Sequence, residues 1–149
     1  FVNKDVLIKN ILISFVVMFV LFGVLSSPAM ACSTQVIANA NVTSITKSQL
    51  RQIFLMRQLY WPDKQKIVVF VLPSSDPLHQ IFSKCNLGIF PYKLDRTWNK
   101  LTYSGLGVAP IVVDSHQALI KAVTTTAGAI GYAEECAEIK DKYVIQFQS

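Results

Sequence analysis

Ile67-Val68-Val69-Phe70-Val71-Leu72, followed at once by Pro73-Ser74-Ser75-Asp76-Pro77, is the stretch from which the fold is read. A continuous apolar run rich in β-branched residues suits a strand buried on both faces. Pro73 stops the strand, while Asp76 and Pro77 supply an N-cap and a first helical residue. Leu78, Ile81, Phe82 and Cys85 then recur at helical spacing, and Gly88 is placed to end the helix. A buried strand that passes through a polar turn into a helix is one unit of an α/β domain.

The flanking sequence repeats that alternation. On the amino side, residues 35–38 read as a strand and 39–44 as a turn. Thr46-Lys47-Ser48-Gln49 is a capping box, with Ile45 placed to staple against Leu50. Leu50, Ile53 and Phe54 give the helix expected over 46–56 its apolar face, with Arg51 and Arg57 on the wetter side. Tyr60-Trp61-Pro62-Asp63 ends that segment in a turn. On the carboxyl side, Pro91 opens a helix whose apolar face is Phe90, Leu94, Trp98 and Leu101. A loop over 103–110, a strand over 111–113 and a second capping box, Asp114-Ser115-His116-Gln117, follow. Ala118, Leu119, Ala122 and Val123 continue that helix to Gly128, and residues 129–133 and 143–147 read as closing strands. Strands alternating with helices predict an α/β domain with a mixed, mostly parallel sheet flanked by helices.

The chain has 149 residues, 52% of them hydrophobic and only 15% charged, with a mean hydropathy of +0.40. Charge is usually nearer about 25% in soluble domains. The excess lies at the front: Lys4 and Lys9 precede an uncharged apolar run over 11–25, followed by Ser26-Ser27-Pro28 and Ala29-Met30-Ala31. Basic, apolar and small-residue segments in that order form a secretory signal peptide over residues 1–31. An uncleaved membrane anchor is the alternative, and the run is shorter than the roughly 20 residues a bilayer requires. Residues 32–149 are then an exported, periplasmic domain long enough to bury a core of its own. Its Lys and Arg residues are scattered without a basic stripe, which argues against nucleic acid as a partner.

Cys32, Cys85 and Cys136 show no C-x-x-C spacing and no histidine at metal-ligand spacing, so no metal and no cofactor are expected. Two readings of Cys32 stand. It carries a lipid after cleavage, with Cys85 and Cys136 paired across a loop of about 50 residues worth on the order of 4 kcal/mol. Alternatively, cleavage is ordinary and Cys32 is free or disulfide-bonded. Catalytic residues are not expected: His79 and His116 both fall in first turns of helices, where surface or capping roles suit them, and no nucleophile–base pair has a telling spacing. The turn at Ser74, Ser75 and Asp76 is the candidate anion site, because hydroxyls and amides converge where a strand feeds a helix. Asp76 and the missing Pro77 amide weigh against it.

The order of segments resembles the substrate-binding proteins of phosphate ABC transporters. The pieces that carry the likeness are Leu50-Arg-Gln-Ile-Phe-Leu55, Tyr60-Trp61-Pro62-Asp63, the Ile67–Leu72 strand with its Ser turn, Trp98, Tyr103-Ser-Gly105 and Gly128-Ala-Ile-Gly-Tyr132. The resemblance, over about residues 35–147, is to short, single-lobe exported members. It implies one lobe of the type II periplasmic-binding-protein fold, with phosphate or a similar small anion as ligand and a second protein chain or a membrane transporter as partner. The family's Arg-Ser-Asp-Gly-Ser-Gly-Thr stretch aligns with 72–78, so Leu72 stands where the phosphate-binding Arg is expected and Asp76 where a Ser is. The rival expectation is a partner-binding envelope domain that keeps the fold without the ligand, with an exposed apolar patch including Tyr60, Trp61 and Tyr103.

Overall fold

The structure is a computed structural model that describes the backbone of residues 3–21 and 33–148. The chain forms two compact units, 1–31 and 32–149. In the first, Lys4–Leu21 is a helix (α1). The cleavage region and Cys32 of the signal-peptide reading lie outside the described residues. No described helix is long and apolar enough to cross a membrane.

The second unit is the α/β domain that the Ile67–Leu72 strand announces. Its elements in order are β1 (Thr34–Ala38), β2 (Ser44–Ile45), α2 (Lys47–Phe54), β3 (Val68–Val71), α3 (Pro77–Ile81) running into a π-helical turn (Phe82–Leu87), and α4 (Pro91–Ser104). They are followed by β4 (Ile111–Val112), α5 (His116–Thr125), β5 (Ala129–Glu134), a 3-10 turn (Asp141–Tyr143) and β6 (Gln146–Phe147). The main sheet has the order β1-β5-β3-β4. β3 runs parallel to both β4 and β5, while β1 closes the other edge antiparallel to β5. The sheet is therefore mixed and mostly parallel. β2 and β6 form a separate two-stranded parallel pair.

Burial follows the patterns that formed the elements. β5 is buried along residues 129–133, as a strand between two others must be, and β3 along residues 69–71. Leu50, Ile53 and Phe54 of α2, Leu94 and Trp98 of α4, and Leu119 and Val123 of α5 pack against the sheet in one core. Thr46 and Gln49 form the reciprocal capping box. The Trp98 indole N–H donates to the Phe54 carbonyl at 2.8 Å, joining α4 to the end of α2.

Several expectations are corrected. The α5 N-cap is Ser115 rather than Asp114, its side chain accepting from the Ala118 amide. Residues 143–147 form no continuous strand. The helix from Pro77 does not keep its register: the π turn rotates the face, so Cys85 is exposed while Ser83 and Leu87 are buried. One wider turn displaces every later side chain around the axis. The Cys85–Cys136 bridge is not formed, because Cys136 is an exposed free thiol. Cys85 is disulfide-bonded, but not to Cys136.

Candidate functional site

β3 delivers the chain into the 72–76 turn at the carboxyl edge of the sheet's parallel strands, the edge where ligands bind in open α/β sheets. The sequence-predicted residues are all there, and each side chain that points inward has a partner within the domain. The Ser74 hydroxyl donates to Asp95 of α4 at 2.6 Å. Asp76 caps α3 through the Leu78 amide at 2.8 Å. The same carboxylate receives Nε2 of His116 at 3.1 Å from each oxygen. Ser75 is exposed at the tip. The turn is thus closed and capped, with two carboxylates beside it, and α3 is too short to present an amide-lined anion cradle of its own.

The other ring nitrogen of His116, Nδ1, lies 3.1 Å from Glu134 at the end of β5. One imidazole therefore links the β3–α3 turn, the start of α5 and the end of β5. Glu134 also accepts from the Cys136 thiol at 3.7 Å. His116 and Glu134 line a groove of about 660 Å³ whose apolar floor is Pro77, Leu78 and Ile81 and whose rim includes Glu135. Among the described residues, no Lys or Arg lines it. Residue spacing could not have disclosed the triad, since its members lie 40 and 18 positions apart.

His79 corrects the surface role that its first-turn position implied. It is buried at 1% exposure. Its Nδ1 meets the Tyr132 hydroxyl at 2.5 Å, and that hydroxyl accepts from the Leu72 amide at 2.9 Å. Burial lowers the His79 pKa from 6.5, with Asp95 and Asp76 opposing the shift. Burial likewise drives the Tyr132 phenol well above its ordinary value, against the Leu72 hydrogen bond. Both groups are held neutral and serve the interior. Among the described residues, no group of three or more His, Cys, Asp or Glu side chains is arranged to hold a metal ion.

Trp61 is also buried, at 2% exposure, its indole donating to the Gly128 carbonyl at 3.0 Å. It belongs to the core and not to the apolar patch expected of it. Tyr60 and Tyr103 are exposed, at 58% and 90%.

No protein-family model matches the sequence, and no curated protein matches it significantly. Solved structures do match. An ABC-type phosphate transport receptor from Vibrio cholerae superposes with a TM-score of 0.60 at 21% identity, covering 77% of this chain and 46% of that one. A protein from Clostridium perfringens described as a phosphate ABC transporter substrate-binding protein, with bound phosphate, gives 0.58 at 18% identity, covering 78% and 44%. The chain thus spans less than half the length of either neighbour. At such identities the likeness establishes architecture alone. Over the part they share, the mixed α/β architecture of residues 32–149 is similar to that of these two proteins.

Proposed function

We propose that residues 32–149 are an exported, non-catalytic binding domain that engages a second protein through an apolar face, and that tight phosphate capture at the 72–76 turn has been given up. The observation that carries this reading is the Asp76 carboxylate inside the turn, already satisfied by the Leu78 amide and His116. A phosphate there would meet Asp76 and Asp95 at close range, with Leu72 where a guanidinium is needed. Desolvating an anion against like charge is unfavourable unless cations offset it. Neighbours named as transport receptors and substrate-binding proteins support binding over catalysis.

The face itself is formed by Leu106 and Val108 of the loop after α4 with Tyr60 and Ile111, which line one cavity; Leu106 is 80% and Val108 67% exposed. Contiguous apolar exposure of this kind marks interaction surfaces. It borders a cavity of about 520 Å³ in which Lys66 is the charged lining residue. Charge complementarity therefore assigns to the partner an apolar segment carrying an acidic residue. Export to the periplasm belongs to the same proposal.

Isothermal titration of the mature domain with phosphate and with sulfate tests the first half. No heat with either anion up to millimolar concentration is expected; a micromolar Kd for phosphate overturns the reading. For the second half, a photo-crosslinking residue is placed at Leu106 or at Lys140 in the exporting cell. A protein adduct through position 106 alone is expected, and equal labelling at both positions removes the apolar face from the proposal.

A further inference from the structure

We propose that His116 is a proton-operated clamp that ties the β3–α3 turn to the end of β5 and releases one of them when it loses a proton. An ionised carboxylate only accepts, and a neutral imidazole has a single N–H. Both ring nitrogens of His116 face carboxylate oxygens at 3.1 Å, Nε2 towards Asp76 and Nδ1 towards Glu134. Holding both contacts at once takes two N–H groups, which is the imidazolium form.

The groups that face the ring are mostly acidic. Asp76 faces it from the turn and Glu134 from β5, Glu135 and the Cys136 thiol line the same groove, and Asp114 precedes it on its own loop. Among the described residues, no Lys or Arg lines the groove. Opposing them is the N-terminal end of α5, whose dipole disfavours positive charge at its first residue. The ring is thus held by its contacts with the two carboxylates and not by its helix.

The geometry also says which contact fails first. The Asp76 side chain is 22% exposed, anchored by the Leu78 amide, and meets Nε2 with both oxygens. The Glu134 side chain is 50% exposed and meets Nδ1 with one oxygen. The neutral ring keeps its proton on Nε2, and the bare Nδ1 lone pair then faces a carboxylate, which repels it. Glu134 turns to solvent. Because Glu134 walls the 660 Å³ groove, its departure opens that groove and adds an unpaired negative charge to its rim.

The test is long-range ¹H–¹⁵N spectroscopy of the full mature domain, labelled in histidine and in the backbone, from pH 5 to pH 8.5. Two protonated ring nitrogens are expected at the acid end. On raising the pH, Nδ1 loses its proton, Nε2 keeps it, and the amides of residues 134–136 move together with those of 76–78. Loss of the Nε2 proton instead, or still amides at 134–136, overturns the clamp. In Glu134→Gln, a change at an exposed side chain that spares the core, the 134–136 response is expected to vanish while that of 76–78 persists; an unchanged 134–136 response also overturns it.

Discussion

The hydroxyl of Tyr132 takes the Leu72 amide proton at 2.9 Å and lies 2.5 Å from Nδ1 of His79. With one lone pair taken, its own proton goes to Nδ1, which places the His79 ring proton on Nε2, a buried atom without a partner among the described residues. Replacing Tyr132 with Phe strands a second buried group, the Leu72 amide, and removes the acceptance at Nδ1. The expected loss is about 2–4 kcal/mol of stability, on the scale of 1–3 per orphaned group, read by urea unfolding. His79 adds a pH dependence of known sign. Its folded pKa is lowered, so the unfolded chain binds the extra proton first, and stability falls as pH drops below 6.5. Unfolding at a series of pH values, wild type against His79→Leu, checks this: the difference between them is expected to change below pH 6.5 and to stay flat above it. A leucine there does not charge. None of this is legible in the sequence, where His79 merely follows a cap, because the hydroxyl it meets lies 53 residues away and its burial is set by packing.

At the scale of elements, the local rules carried well where hydrogen bonds are local. The Thr46 capping box and the Pro-led starts of α3 and α4 were readable because each is decided within four residues. They failed at the π turn: Leu78 and Phe82 of the expected stripe are buried, but Cys85 is exposed, and His79, Ser83 and Leu87 are buried as well. Gly128 shows both sides. Its place after a helix was legible as a stop, and its φ of +78° agrees. What the sequence does not contain is the strand passing behind it: a Cβ there would lie 2.3 Å from the Lys66 carbonyl oxygen. That contact is backbone and cannot swing aside. Gly128→Ala is therefore expected to cost more than about 4 kcal/mol, among the largest single-site effects, and to show as loss of cooperative thermal unfolding. Gly105 also has positive φ but open space around it, so Gly105→Ala serves as the milder comparison.

For the whole molecule, the buried strands and the helix periods made the α/β class legible, since burial on both faces leaves a continuous apolar run that nothing else explains. The site was not legible in the same way: its carboxylates and its histidine come together only through sheet order. The thiols follow the same division. Cys136 is free and exposed while Cys85 is bonded, so alkylation of the oxidised domain is expected to label Cys136 and spare Cys85, as peptide mass spectrometry would read. The apolar face invites the most searching prediction, because an exposed leucine can be a remnant of folding or a surface kept for another molecule. If Leu106 and Val108 served the domain's own core, charging them would unfold it. At 80% and 67% exposure they bury little in the folded chain. The double variant Leu106→Asp, Val108→Asp is therefore expected to keep its unfolding free energy within about 1 kcal/mol, twice the ±0.5 usual for one surface site. The same variant is expected to lose most of the binding of an apolar fluorescent dye that the native domain supports. A large drop in stability would assign these residues to the fold, and unchanged dye binding would place the dye's site elsewhere on the surface. Stability kept with dye binding lost is the pattern of a surface exposed in the isolated domain and covered by something that is not part of it.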